Sequence, residues 1–318
     1  MALYLFVVQL SRTLHRLRGS AAFAVLVLLV AASAAPPAGA QDRPYFVTYN
    51  HQLEEPGELE LSFNPVFGTQ RGGNPFAGYW MEFEYGVKAW WTSEFYLDWQ
   101  TTRRESTVFT GYRWENRFRP LMREHWINPV FYVEFENVNG ADKTIRDVVG
   151  FDGEADHAEP NDEARREKER ELELKLILSS NVKGWNISEN FIAAKNLAGE
   201  PWEFGYAVGF SRPLALAASP RPCVFCAENF VAGLEFYGGL GDTKRFGVAG
   251  TSHYVAPMLA WNLPNGTTLR VSPGWGLTGE SHRFLLRFGV AHEIDGVGRA
   301  VRRMFGGGSG SRRGGAQP

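Results

Sequence analysis

Residues 171–179 read ELELKLILS, and that stretch decides the fold. Leu172, Leu174, Leu176 and Leu178 fall on one side, Glu171, Glu173 and Lys175 on the other. A period of two means extended backbone, because successive side chains of a strand point to opposite faces. The pattern recurs along most of the chain. Residues 78–90 set Met81, Phe83, Tyr85, Val87 and Ala89 against Glu82, Glu84 and Lys88. Residues 94–101 set Phe95, Leu97 and Trp99 against Glu94, Tyr96, Asp98 and Gln100. Similar alternation runs through 128–137, 202–210, 229–239, 254–262, 269–277 and 283–294.

Twelve crossings follow: 57–66, 78–90, 92–102, 106–117, 127–138, 169–181, 185–196, 201–213, 227–239, 252–263, 267–278 and 281–294. An even number brings both chain ends to one side of a membrane. The connections 90–92, 181–185 and 263–267 then lie on that side and are short, whereas 66–78, 138–169 and 239–252 lie on the other and are long. A secreted β-sandwich also alternates. Crossings of about 9–11 residues, however, match a tilted passage through a bilayer. Trp90, Trp91, Trp185 and Trp202 sit at strand ends, where interfacial aromatic girdles form. The expectation is an all-β, antiparallel, up-and-down transmembrane β-barrel of about twelve strands over 57–294, with 41–56 as an N-terminal periplasmic or edge segment.

Composition agrees with this class. Of the 318 residues, 44% are hydrophobic and 21% charged, too apolar for a disordered chain; a mean hydropathy of −0.25 is too polar for a bundle of membrane helices. Two cysteines exclude a disulfide scaffold or a zinc-rich module. A net charge of −2 without a basic block argues against nucleic acid as a partner. Residues 1–40 read as a signal peptide. Arg12, His15, Arg16 and Arg18 precede an apolar run over 21–35, and Ala38-Gly39-Ala40 is a small-x-small motif predicting cleavage after Ala40. Fifteen apolar residues fall short of the ~20 that span a bilayer as a helix.

The polar faces of the strands project into the lumen and form the candidate site. Its acids are Glu82, Glu84, Glu94, Asp98, Glu115, Glu134, Glu136, Glu171, Glu173, Glu203 and Glu235; its cations are Lys88, Arg113, Lys175, Arg270, Arg283 and Arg287. Opposed acidic and basic walls impose a transverse field on a polar solute; the same residues could instead pair and plug a narrow barrel. Loop 139–168 is the most charged segment. Within it Asp152, Glu154, Asp156 and Glu163 match positions 1, 3, 5 and 12 of a calcium loop, but His157 replaces the turn glycine and Pro160 stands at position nine, which favours a solvated external loop. Cys223 and Cys226 form CVFC with no adjacent histidine, so a local disulfide in an oxidising compartment is expected rather than a haem or redox motif. Ser252-His253 and Ser281-His282 are weak hydrolase candidates, because adjacent strand residues face opposite ways. No cofactor is implied.

The export signal, the alternating strands and the closing Leu285-Leu286-Arg287-Phe288-Gly289-Val290 make the chain resemble a bacterial outer-membrane β-barrel of the porin or transporter-like kind. The resemblance covers about 57–294. It implies an outer-membrane location, outer-membrane lipids and the barrel-assembly machinery as partners, and passage of small polar solutes. After Ile294 the sequence VGRAVRRMF and a Gly-rich stretch form an expected basic, disordered tail over 295–318. The functional expectation is a passive, non-enzymatic channel for small polar or ionic solutes with a cation bias. Its alternatives are a non-conducting structural or adhesive barrel that presents its loops, and an outer-membrane lipid hydrolase.

Overall fold

A computed structural model of the chain describes residues 44–70, 72–144, 148–151, 158–221 and 223–299. The segments 1–40 and 300–318, and with them the expected signal peptide and most of the tail, lie outside the described residues.

Twelve antiparallel strands close into one barrel: β1 (Leu59–Thr69), β2 (Phe76–Lys88), β3 (Trp91–Thr102), β4 (Thr107–Phe118), β5 (Asn128–Asn139), β6 (Lys168–Val182), β7 (Trp185–Asn196), β8 (Trp202–Pro213), β9 (Phe230–Asp242), β10 (His253–Asn262), β11 (Thr267–Gly276) and β12 (Phe284–Ile294). Each strand pairs with its sequence neighbours, and β1 pairs with β12 to close the wall. Every expected crossing is present, with ends shifted by a few residues. The largest shifts at a strand start are at β9 and β12. At β9, Ala227–Asn229 forms a 3-10 turn, which delays the strand to Phe230.

The period-two sequence produces the two faces it predicts. In β6 Glu173, Lys175, Ile177 and Ser179 are buried while Leu174 and Leu176 are exposed. Around the outside, Phe95, Phe109, Trp114, Phe131, Phe191, Leu259, Trp275 and Phe288 remain exposed, as an apolar belt facing acyl chains requires. Aromatics gather at strand ends, for example Trp90, Trp91 and Phe118, stacked at about 6 Å centroid spacing.

We call the end that carries the start of β1 and the end of β12 the near end. Two segments depart from the sequence expectations by entering the barrel. The first is 44–56, expected as a periplasmic or edge segment. Residues 44–51 are all buried, and no strand forms there. Its alternation (Tyr45, Val47, Tyr49) resembles a strand, but the wall is already complete, so the backbone takes its hydrogen bonds from lumen side chains. The second is the loop between β5 and β6, expected to be solvated. Ala141, Lys143, Thr144, Val148, Val149 and Asn161 are buried, and Gly150 donates its N–H to Phe204 O of β8 at 3.1 Å. Glycines on the inner wall leave room for it: a Cβ on Gly205 would stand 2.1 Å from Val148 O, and one on Gly78 would stand 2.3 Å from Thr144 Cγ2. Phe46 and Val47 from one segment and Val148 from the other join Trp80, Tyr96, Tyr237 and Tyr254 in one apolar cluster inside the barrel.

Candidate functional site

Strand register arranges the lumen acids into a row. Glu293 of β12 stands opposite Glu60 of β1, and Glu60 opposite Glu84 of β2. Glu84 then faces Glu94, Glu94 faces Glu115, Glu115 faces Glu134, and Glu134 faces Glu173. Seven neighbouring strands thus carry glutamate at matched positions. Like charges directly opposite one another are destabilising, so cations must lie beside the row. Arg117, one inward position nearer the end of β4, donates to Glu84 and Glu94 and lies 3.0 Å from Glu115 Oε1. Arg113 forms a two-pronged bond with Asp98 (2.8 and 3.1 Å) and lies 3.7 Å from Glu134. Lys175 reaches Glu173 at 2.8 Å. Tyrosine hydroxyls complete the network: the Tyr96 hydroxyl lies within hydrogen-bond distance of Glu94 and Glu115, with one proton to donate to either, and Tyr132 donates to Glu134.

The N-terminal segment docks on this network. Glu235 of β9 accepts three consecutive backbone N–H groups, from Phe46 (3.2 Å), Val47 (2.9 Å) and Thr48 (2.7 Å). Asn190 brackets Tyr49, accepting its N–H at 2.6 Å and donating to its carbonyl at 2.9 Å. The Tyr49 hydroxyl donates to Glu115 at 3.0 Å, its ring packs edge-on against Tyr132, and Lys175 Nζ lies 4.7 Å from its centroid. Arg270 donates to Tyr45 O and to Asn64. Towards the near end, His51 bridges Ser179 Oγ (2.8 Å) and Glu124 (2.9 Å). Burial lowers the His51 pKa below its ordinary value, against the opposing pull of Glu124. Glu54 is buried beside Glu84, Glu60, Glu293 and Glu58; burial first and then these carboxylates push its pKa up to about 10.

Most of the expected lumen residues project inward. Glu82, Glu84, Glu94, Asp98, Arg113, Glu115, Glu134, Glu173, Lys175, Glu235 and Arg287 are buried, while Glu136, Glu171, Glu203 and Arg270 are half-buried. Glu203 lies under Gly150 of the inward loop. Two expectations need correction. Lys88, the last residue of β2, is exposed at the near-end rim, and Arg283 precedes β12 and is exposed at the opposite rim. Each has inward parity, but the wall ends before a lumen begins around it. Sequence reasoning missed Arg117, Glu60 and Glu293, although Arg117 continues the Arg113–Glu115 alternation and Glu60 shares a face with Ser62 and Asn64. Glu54 carried no periodic signal.

The buried wall charges number nine carboxylates (Glu60, Glu82, Glu84, Glu94, Asp98, Glu115, Glu134, Glu173, Glu235) against four cations (Arg113, Arg117, Lys175, Arg287), so the lumen is net negative. Among the described residues its inward side chains are also packed over. Glu84, Glu115, Arg117, Tyr96 and Glu235 face inward yet are 0% exposed. A cavity of ≈ 20 Å³, lined by Tyr45, Phe46, Thr48, Tyr49, Asn64, Glu82 and Arg270, holds about one water.

Of the other candidates, Cys223 and Cys226 are joined as a disulfide, as expected. Its loop stacks Phe225 on Trp261 at 4.9 Å. In the calcium-like motif, Asp152, Glu154 and Asp156 lie outside the described residues, and Glu163 is exposed in α1 (Asn161–Ala164). His253 bonds Tyr206 and Thr251, and Ser252 bonds Glu280 O. Ser179, His51 and Glu124 resemble a hydrolytic triad in outline. Ser179 is only 1% exposed, however, and its Oγ is already within bonding distance of Ser188 and Asn186, so an ester has no approach to it.

No protein-family profile matches the chain, and no curated protein matches it in sequence. Among solved structures it is similar to an outer-membrane channel from Pseudomonas putida F1, at 10% identity over 77% of this chain and 98% of that one, with a TM-score of 0.50. It is also similar to the KdgM porin in complex with disordered oligogalacturonate, at 8% identity over 73% and 98% of the two chains, with a TM-score of 0.45. Likeness at this identity establishes the fold, a barrel of the outer-membrane kind, and nothing finer.

Proposed function

We propose that this chain is a non-enzymatic outer-membrane channel for small polar or ionic solutes, favouring cations, and that the structure is its closed state with the N-terminal segment as plug. One observation carries the reading. The segment that fills the near half of the lumen is held by side chains, chiefly Glu235 and Asn190, and contributes no strand to the wall. It can therefore leave while all twelve strand pairings persist. Its departure uncovers the net-negative row of glutamates, and a low-dielectric wall lined with one sign of charge concentrates counter-ions.

A non-conducting structural barrel is the second reading. It is favoured by the complete burial of the charge network and by the inward fold of 139–144 and 148–151, which would remain after the plug has left. Conductance in planar bilayers under a salt gradient separates the two. The refolded chain is compared with one in which residues 45–50 are replaced by Gly and Ser. Rare or small current steps in the first and frequent, cation-selective steps in the second are expected. A folded replacement variant without current refutes the channel and leaves the structural barrel.

A further inference from the structure

Three carboxylates from three separate elements meet at the near-end mouth: Glu54 from the N-terminal segment, Glu60 from β1 and Glu293 from β12. One oxygen from each lies within 4.8 Å of the other two. Glu54 is 2% exposed, and its Oε2 has no hydrogen-bond partner among the described residues, so the carboxylate that enters the cluster carries a buried acceptor with nothing to satisfy it. The backbone holds it there. Gly57 donates to Gly86 O at 2.7 Å and Gly86 donates to Glu58 O at 3.1 Å. A Cβ on Gly86 would lie 2.0 Å from Glu55 O, so only glycine allows so close an approach.

We propose that Glu54, Glu60 and Glu293 bind a divalent, oxygen-preferring cation of the calcium type. The ion would tie the N-terminal segment to the seam where the first and last strands close the barrel. The donor set contains neither imidazole nor thiolate, which selects a hard cation over zinc or copper. Calcium–oxygen bonds of about 2.3–2.6 Å put ligand atoms up to about 5 Å apart across the ion, the spacing this cluster offers. Water and the second oxygens of the carboxylates would fill the remaining positions. Glu60 also belongs to a neighbouring triple with Glu82 and Glu84, but Arg117 already bonds Glu84 there, so the ion belongs on the Glu54 side. The proposal does not depend on conduction; it holds equally for a closed structural barrel.

The test uses the full refolded chain, stripped with chelator and titrated with calcium chloride by calorimetry. One saturable calcium per chain is expected, with magnesium at least tenfold weaker. Glu54→Gln and Glu293→Gln should each reduce affinity at least tenfold. Both variants are first checked for the heat-modifiable folded band, and if either fails to fold the other carries the comparison. A Val47→Cys thiol on the segment should label at least tenfold more slowly with calcium than with chelator. Absence of saturable binding overturns the site. So does binding that both substitutions leave unchanged, which would assign the ion to another acidic cluster.

Discussion

Substituting Glu235 by alanine isolates the force that docks the N-terminal segment. Its carboxylate accepts the N–H groups of Phe46, Val47 and Thr48 at 3.2, 2.9 and 2.7 Å, with all four residues buried. Hydrogen bonds to a charged group contribute about 1.5–3 kcal/mol each, and a stranded buried donor costs about 1–3 kcal/mol. Truncation to alanine opens space for water to satisfy part of the loss, so the lower end, about 3 kcal/mol for the three, is the estimate. At 1.4 kcal/mol per decade, undocking becomes about 100-fold more frequent. Val47, 1% exposed, provides the reporter. As Val47→Cys it is the free thiol, because Cys223 and Cys226 are bonded to each other. With opening fast relative to labelling, maleimide modification of the folded protein should accelerate about 100-fold when Glu235→Ala is added. Glu235→Gln, which keeps one acceptor oxygen, should fall between. The strand pairing of β9 uses backbone groups, so the heat-modifiable barrel should persist. Equal labelling rates with and without Glu235 would show that the segment is held by something else.

Removing Arg117 by substitution to alanine strips the cation from Glu84, Glu94 and Glu115; a loss of roughly 3–5 kcal/mol is expected, read as a lower urea midpoint, and an unchanged midpoint would contradict the network. Neutralising Glu82, Glu84, Glu134 and Glu136 together to glutamine should lower cation preference in the reversal potential of the plug-released channel; unchanged selectivity would remove these residues from the mechanism. Acidification should remove the contribution of His51 to docking. Its pKa is lowered when docked, so the released form binds more protons at this group; the His51 contribution to docking is complete above the ordinary histidine pKa of about 6.5 and is lost as the pH falls below it, while Glu54, whose docked pKa is raised, works in the opposite sense. The effect is read as the difference in Val47→Cys labelling between His51 and His51→Gln proteins at pH 7 and 5. Identical pH dependence in the two would exclude His51 as the sensor.

Strands were the legible part of this sequence. The alternation at 171–179 or 94–101 is a local property, and the burial of one face against the lumen leaves the other for lipid, so period and structure agree residue by residue. Parity also put Glu82, Asp98 and Arg113 inside. What alternation could not supply was height and partner. Lys88 and Arg283 carry inward parity beyond the ends of the enclosed wall, and the row from Glu293 to Glu173 exists only through the pairing register. The occupants of the lumen were illegible for a different reason. Residues 44–51 are buried on every side, so nothing in their pattern distinguishes a strand from a segment satisfied by Glu235 and Asn190. Loop 139–168 is rich in charge, which on its own reads as solvated; Lys143 is nonetheless 1% exposed, its ammonium donating to Glu159 O at 2.9 Å.

The glutamate row also bears on how the chain acquires its shape. A hairpin of β2 and β3 alone sets Glu84 directly against Glu94, and one of β5 and β6 sets Glu134 against Glu173 and Glu136 against Glu171. In the second hairpin Lys175 of β6 already lies beside Glu173 at 2.8 Å, whereas Glu84 and Glu94 repel until Arg117 arrives with β4. The β2–β3 hairpin should therefore be unstable alone at neutral pH, and β4, which brings Arg117 to Glu84 and Glu94 and Arg113 to Asp98, converts that repulsion into cohesion. The edge of β3 is thus satisfied by a third strand before the β2–β3 pair becomes stable, which shortens the time that edge stands exposed.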